Sequence, residues 1–139
     1  MENLQNKINK VLDLYKRKKL LQAESRVNKL IKENPQIVIL YNLLGLILTE
    51  QKKYDKAINT FNEGIKIKSD YAVCYANLAN IYKLQEENTK AESLYKKAIE
   101  LDSKLIDPIN NLGTLYLNQN KTLKAVDCFK KALKINSKY

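Results

Sequence analysis

The sequence contains no histidine and no tryptophan, and among its 139 residues there are only three glycines and two prolines. Without histidine, the side chain that most often serves as a general acid or base near neutral pH is missing. The small number of glycines and prolines excludes turn-rich sheet and long linkers. No run of about 18 apolar residues occurs, so no membrane span is expected. These deficits predict a helical protein that is not an enzyme.

The two cysteines, Cys74 and Cys128, show neither metal-binding nor redox spacing, and we expect two packed, free thiols. No glycine-rich phosphate loop occurs either, because the glycines are scattered. We therefore expect no metal site and no cofactor. The amino terminus lacks the apolar core of a signal peptide, which favours a cytoplasmic or nuclear location without membrane association.

The sequence does contain a repeat, with a period of 34 residues. Its clearest column is four alanines, Ala23, Ala57, Ala91 and Ala125. A second column, four positions later, holds larger side chains: Val27, Phe61, Tyr95 and Phe129. Leucines stand thirteen positions before three of the alanines, each followed by a small residue: Leu44-Gly45, Leu78-Ala79 and Leu112-Gly113. This period is that of one helix–turn–helix unit in a solenoid.

The columns resemble the tetratricopeptide repeat (TPR) along almost the whole chain. The third repeat carries the resemblance most completely, with Tyr75, Leu78-Ala79, Tyr82, Ala91, Tyr95 and Ala98. The resemblance implies an all-α fold, a right-handed α–α superhelix of four helix-turn-helix repeats. We expect one TPR domain over residues 1–139, with repeats at about 4–37, 38–71, 72–105 and 106–139.

Apolar residues at helical spacing define two amphipathic helices in each repeat. The first helices are predicted at 3–17, 38–51, 72–85 and 106–119, and the second at 20–33, 54–67, 88–101 and 122–135. The first repeat fits poorly, because Lys10-Val11 stands where the leucine–glycine pair belongs. Sliding its first helix by one residue improves the apolar fit, which predicts a turn one residue shorter near Arg17.

The formal net charge of +10 raises the possibility of nucleic-acid binding. Most lysines fall on the second helices and turns, which form the convex side of such a solenoid: Lys52, Lys53, Lys56, Lys96, Lys97, Lys130, Lys131 and Lys134. We interpret them as a solvated face. Nucleic-acid binding through these lysines is the less favoured hypothesis, because no aromatic residues are interleaved with them.

In this fold the first helices line a concave groove, and in repeats two to four that groove is rich in asparagine. The candidate peptide-binding residues are Asn42, Leu43, Leu46, Asn77, Asn80, Asn110, Asn111, Thr114 and Asn118. Asn77 and Asn111 share one repeat position. An asparagine amide carries a donor and an acceptor, so the pair could hydrogen-bond the backbone of an extended peptide. Local hydrogen bonds within the repeats are the competing interpretation. Leu43 could line an apolar pocket or simply pack against the first repeat.

The function we expect is a non-catalytic protein–protein interaction module for an extended segment. The Asn77-Leu78-Ala79 and Asn111-Leu112-Gly113 motifs are similar to those of O-linked N-acetylglucosamine transferases, whose TPR groove carries an asparagine ladder. That similarity implies the alternative of a substrate-targeting region of such an enzyme, or a scaffold subunit of a multisubunit complex. The cations of a carboxylate clamp are missing, so chaperone C-termini are not expected partners.

The last repeat has no successor in the sequence, and families of this kind usually add a solvating helix at that end. We therefore expect exposed apolar surface on the helices at 106–119 and 122–135. Exposed apolar patches mark association sites, so this end is a candidate for self-association.

Overall fold

The computed structural model describes residues 1–137, and within them it contains eight helices and no strand. The helices form four antiparallel pairs, and each begins and ends within one or two residues of its predicted bounds. They are α1 (Leu4–Lys16), α2 (Leu20–Glu33), α3 (Val38–Glu50), α4 (Tyr54–Ile67), α5 (Ala72–Leu84), α6 (Asn88–Leu101), α7 (Ile106–Asn118) and α8 (Thr122–Asn136). The end of the predicted fourth repeat, Lys138 and Tyr139, lies outside the described residues.

The helices group into two compact units, the first over Met1–Ser69 and the second over Asp70–Tyr139. The first unit contains α1 to α4 and the second contains α5 to α8. Each unit therefore consists of two helical hairpins with a core of its own. The prediction of a single domain over the whole chain stays a prediction.

The turn inside each hairpin has the same length and the same backbone conformation in all four repeats. Its middle residue is left-handed, with φ near 60° at Lys18, Lys52, Glu86 and Asn120. In the first turn the Lys19 N–H donates to the Leu14 carbonyl at 2.9 Å, and the Lys18 N–H donates to the Tyr15 carbonyl at 3.0 Å. These two bonds form the Schellman motif that satisfies the last carbonyls of a helix.

The predicted one-residue slip in the first repeat is wrong, because its turn, Arg17 to Lys19, is as long as the other three. Val11 therefore occupies the position that Gly45 holds in the second repeat. Both positions are buried. The larger side chain of Val11 is accommodated because the residue that faces it on the second helix is Val27, which is smaller than the Phe61 of the second repeat. Val11 and Val27 are fully buried in one core cluster with Ala23, Leu40 and Ile47.

Glycine and phenylalanine fit each other closely in the second repeat. A Cβ built on Gly45 would lie 2.4 Å from the Phe61 ring, well inside van der Waals contact. In the fourth repeat a Cβ on Gly113 would lie 2.9 Å from the Phe129 ring. These positions, where the two helices of a hairpin pack against each other, therefore leave no room for a side chain.

The core of the second unit is built around Tyr95, which is fully buried with Ala79 and Ala91. Leu112, Leu115 and Ala125 pack in the same cluster and join the third hairpin to the fourth. Within residues 1–137, none of the eight helices has the length and the apolar character that a membrane span requires.

Apolar side chains are exposed on the last two helices of the second unit. On α8, Val126 is 41% exposed and Leu133 is 66% exposed, and on α7 Leu117 is 50% exposed. The predicted exposure of apolar side chains on the last two helices is confirmed.

Candidate peptide-binding surface

The second unit carries most of the candidate asparagines on one face, formed by α5 and α7. We call it the asparagine face; it consists of Asn77, Asn80, Asn110, Asn111, Thr114 and Asn118. Five of these side chains are half-buried, and Asn118 is exposed. Half-burial is expected of groups at the edge of a core that still reach solvent.

One oxygen atom organises the centre of the asparagine face. Asn80 Oδ1 accepts a hydrogen bond from the hydroxyl of Tyr95 and a second from Asn111 Nδ2 at 3.0 Å. Asn80 lies on α5, Tyr95 on α6 and Asn111 on α7. The bonds therefore link the first helices of adjacent repeats and fix the orientation of both amide groups.

The bond from Tyr95 explains why Asn80 is held so firmly. The Tyr95 side chain is fully buried, and a buried hydroxyl without a partner would cost free energy. Burial also raises the pKa of the Tyr95 hydroxyl, so it stays protonated and donates. Its donation orients the Asn80 oxygen toward the Tyr95 hydroxyl, and the Asn80 nitrogen lies at the other corner of the planar amide group.

Each linked asparagine keeps unused hydrogen-bonding capacity. Among the described residues, Asn80 Nδ2 and Asn111 Oδ1 make no hydrogen bond to protein. One is a donor and the other is an acceptor, and both belong to half-buried residues. This is the pair of functions that a peptide backbone requires, since each residue of an extended chain offers one N–H and one C=O.

The amide of Asn111 is only partly available to a peptide, because its nitrogen donates to Asn80. The physical reason is the neighbouring asparagine one turn further along the adjacent helix. Asn77 and Asn42 are half-buried and have protein interactions of their own. Thr114 uses its hydroxyl within α7, donating to the Asn110 carbonyl at 3.0 Å.

Sequence reasoning missed the role of Tyr95. The signal was present, because three repeats have valine or phenylalanine at this position and only the third has a hydroxyl. A tyrosine at a core position requires a polar partner within reach. Asn80 is the residue that provides it.

In the first unit, α3 contributes Asn42, Leu43 and Leu46. Leu43 is 3% exposed and packs in the core with Ile8 and Leu30, so it cannot line a pocket for a partner. Of its two predicted roles, packing against the first repeat is the one observed. Leu46 is half-buried, and Ile39 on the same helix is 45% exposed. Since the first repeat is not slipped, Asn9 occupies the repeat position of Leu43, and its side chain is exposed.

The described residues, 1–137, contain no group of three or more cysteine, aspartate or glutamate side chains that could hold a metal ion. Cys74 and Cys128 are buried and are not joined in a disulfide bond, as expected.

Comparisons with known proteins agree with this architecture. A family model described as "TPR repeat" matches residues 45–86, and models described as "Tetratricopeptide repeat" match residues 72–105 and 107–139. The chain belongs to the tetratricopeptide repeat superfamily. The predicted fold class, an all-α TPR solenoid, is confirmed, and the chain is a repeat module of the kind that serves protein–protein interactions.

Solved structures give the same result for the fold. The "Crystal structure of MamA" is 23% identical in sequence, with a TM-score of 0.82 over 98% of this chain and 80% of that one. "MamA 41-end from Desulfovibrio magneticus RS-1" is 19% identical, with a TM-score of 0.80 over 98% of this chain and 77% of that one. At these identities the similarity concerns the fold alone. No curated protein sequence matches significantly.

Proposed function

We propose that the chain binds an extended segment of a partner protein on the asparagine face, mainly through the backbone of that segment. This proposal is supported mainly by the oxygen of Asn80 that accepts two hydrogen bonds. These bonds orient the amides of Asn80 and Asn111, and they leave one donor, Asn80 Nδ2, and one acceptor, Asn111 Oδ1, unused. Exposed leucines on the same two helices, Leu84 at 63% and Leu117 at 50%, offer apolar contact beside these polar groups.

The spacing of the repeats suits an extended peptide. Packed helices lie about 8–10 Å apart, and an extended chain advances about 3.3 Å per residue. Asn77 and Asn111 occupy the same repeat position on α5 and α7. They would therefore meet a bound backbone about three residues apart. Because amides read only the backbone, the binding would tolerate many side chains in the partner.

We expect replacing both Asn77 and Asn111 with alanine to weaken binding by on the order of 10- to 100-fold. The peptide would lose the acceptor that Asn111 leaves unused and a second contact to Asn77, one repeat away, and each lost hydrogen bond contributes about 0.5–1.5 kcal/mol. Binders would first be selected from a displayed library of random peptides with the unmodified chain. Their dissociation constants would then be compared by fluorescence anisotropy. The matched control replaces Asn59 and Asn62 with alanine, since both are exposed asparagines on α4.

Backbone recognition has a second, independent readout. Methylation of one peptide nitrogen at a time removes a donor without changing a side chain. We expect two sensitive positions about three residues apart in the bound peptide. Unchanged affinity in the Asn77/Asn111 variant, with full helicity, would assign both asparagines a purely structural role.

We also propose self-association through the apolar surface of α8, supported by the exposure of Val126 and Leu133. In sedimentation runs at rising concentration, the unmodified chain is expected to show a growing weight-average mass. Leu133→Lys should shift this curve toward the monomer. Leu21→Lys, an exposed leucine on α2 in the first unit, is the matched control and should leave it unchanged. A mass that stays at the monomer value throughout would refute the idea.

A further inference from the structure

The second unit contains a cleft formed by α6, α7 and α8, separate from the asparagine face. Its volume is about 330 Å³, near the lower end of the range for ligand pockets. The floor is apolar and includes Ile99, Ile109 and Leu112, and the rim carries Lys96, Lys124 and Lys131. We call it the lysine-rimmed cleft.

The lysines of the rim differ in how far their charge is compensated. Lys96 Nζ lies 2.8 Å from a carboxylate oxygen of Glu92, which also accepts a hydrogen bond from the Tyr116 hydroxyl at 3.1 Å. The hydrogen bond from Lys96 is the main reason that the pKa of Glu92 is lowered, so this carboxylate stays charged. Among residues 1–137, neither Lys124 nor Lys131 has an ion pair, and both are exposed.

A fourth lysine, Lys121, lies beside the cleft. Lys121 Nζ and Lys124 Nζ lie 6.0 Å and 5.5 Å from the centroid of the Tyr116 ring. Asp127 is the one acidic residue among those lining the cleft. The mouth therefore presents an excess of uncompensated lysines around an apolar floor.

The fold alone does not explain this charge. The first unit has a cleft at the same place in its own repeats, lined by Asn28, Leu44, Leu48, Lys56 and Asn59 among others. Two repeat periods separate the equivalent residues, so Asn28 corresponds to Lys96 and Lys56 to Lys124. Glu63 corresponds to Lys131. The cleft belongs to the architecture, whereas the lysine rim belongs to the second unit only.

We propose that the lysine-rimmed cleft docks an acidic peptide segment of a partner protein that inserts one large apolar side chain. The lysines favour acidic residues in the partner through charge complementarity. The recessed apolar floor binds the large apolar side chain, which serves as the anchor. A nucleic acid fits less well, because bases need exposed aromatic faces for stacking. The aromatic ring that lines the cleft, Tyr116, is 5% exposed. A flat lipid surface would reach the lysines without reaching the floor.

The probe is a fluorescein-labelled peptide of eight glutamates around a central phenylalanine, measured by anisotropy with the full chain in about 0.15 M salt. We expect saturable binding. A peptide with serine in place of phenylalanine should bind about tenfold more weakly or worse, since the anchor loses its apolar burial. The chain carrying both Lys124→Glu and Lys131→Glu should bind the phenylalanine peptide about tenfold more weakly.

The matched control carries Lys56→Glu and Lys130→Glu, which change the net charge equally but lie outside the cleft of the second unit. It should keep affinity within about threefold. The Asn77/Asn111 variant should bind the probe normally, because this proposal does not depend on the asparagine face. Equal binding of the two peptides, or equal loss in the control, would overturn the proposal. So would tighter binding of an oligothymidylate or of phosphatidylserine vesicles through Lys124 and Lys131.

Discussion

Gly45→Val is expected to lower the free energy of unfolding by about 1–3 kcal/mol, the usual cost of overpacking a close-packed core. A Cβ at this position already falls 2.4 Å from the Phe61 ring, and valine adds two further carbons. Phe61→Val should also destabilise the protein, by roughly 2 kcal/mol or more, because it leaves a cavity where the fully buried ring was. Urea unfolding followed by circular dichroism measures both changes.

The combination of the two substitutions is the informative variant. It gives the second repeat the valine pair that the first repeat has naturally in Val11 and Val27. The double variant should be more stable than the sum of the single effects predicts, with a coupling of about 0.5–3 kcal/mol. Asn62→Val, at an exposed position on α4, is the control and should stay within about 0.5 kcal/mol. Strict additivity would mean that the two positions do not compete for the same space.

The thiol of Cys74 is expected to react about a thousandfold more slowly in the folded chain than in the unfolded one near neutral pH. It is fully buried, and burial raises its pKa from 9.0 to about 12. The thiolate is the reactive form, and three pKa units lower its population about a thousandfold. Reaction with an aromatic disulfide reagent, with and without urea, measures the ratio. Cys128→Ser isolates the signal of Cys74.

The same pKa shift has a consequence for stability, and its sign follows from proton binding. Between the unfolded pKa near 9 and the folded value near 12, the unfolded chain has lost the thiol proton while the native chain retains it. Stability therefore falls as the pH rises through this window. Burial raises the pKa of Tyr95 and Tyr116 as well, which extends the loss to higher pH. Rapid reaction of Cys74 in the native state would show that α5 is not packed as described.

The sequence predicted the helices well, because each column of the repeat carries a separate signal for the same architecture. The error in the first repeat arose from reading the columns one at a time. Lys10-Val11 fits the leucine–glycine position poorly when only α1 is considered. The misfit disappears when α2 is included, because Val27 is smaller than the phenylalanine that would have met Val11. Packing volume is shared between two helices, so neither helix alone reveals the register.

The candidate site was predictable in composition but not in detail. The repeat predicted that Asn80 and Asn111 lie on adjacent first helices, and the two side chains are hydrogen-bonded to each other at 3.0 Å. It could not predict that one oxygen of Asn80 accepts bonds from both Asn111 and Tyr95, since that depends on distances between three helices. The positive charge around the lysine-rimmed cleft could not be predicted from the sequence for a similar reason. Lys96 lies on α6, Lys124 and Lys131 lie on α8, and an apolar floor between them is visible only once the helices are packed.

The exchange of volume between Val11/Val27 and Gly45/Phe61 also limits how such a chain can change over evolutionary time. Whole hairpins can be duplicated or lost, because each hairpin contains both of the side chains that pack against each other. A crossover inside a hairpin would join α1 to α4 and force Val11 against Phe61, or join α3 to α2 and leave a void between Gly45 and Val27. The two helices of a hairpin are therefore expected to be inherited together. Recombination that preserves the packing takes place between hairpins.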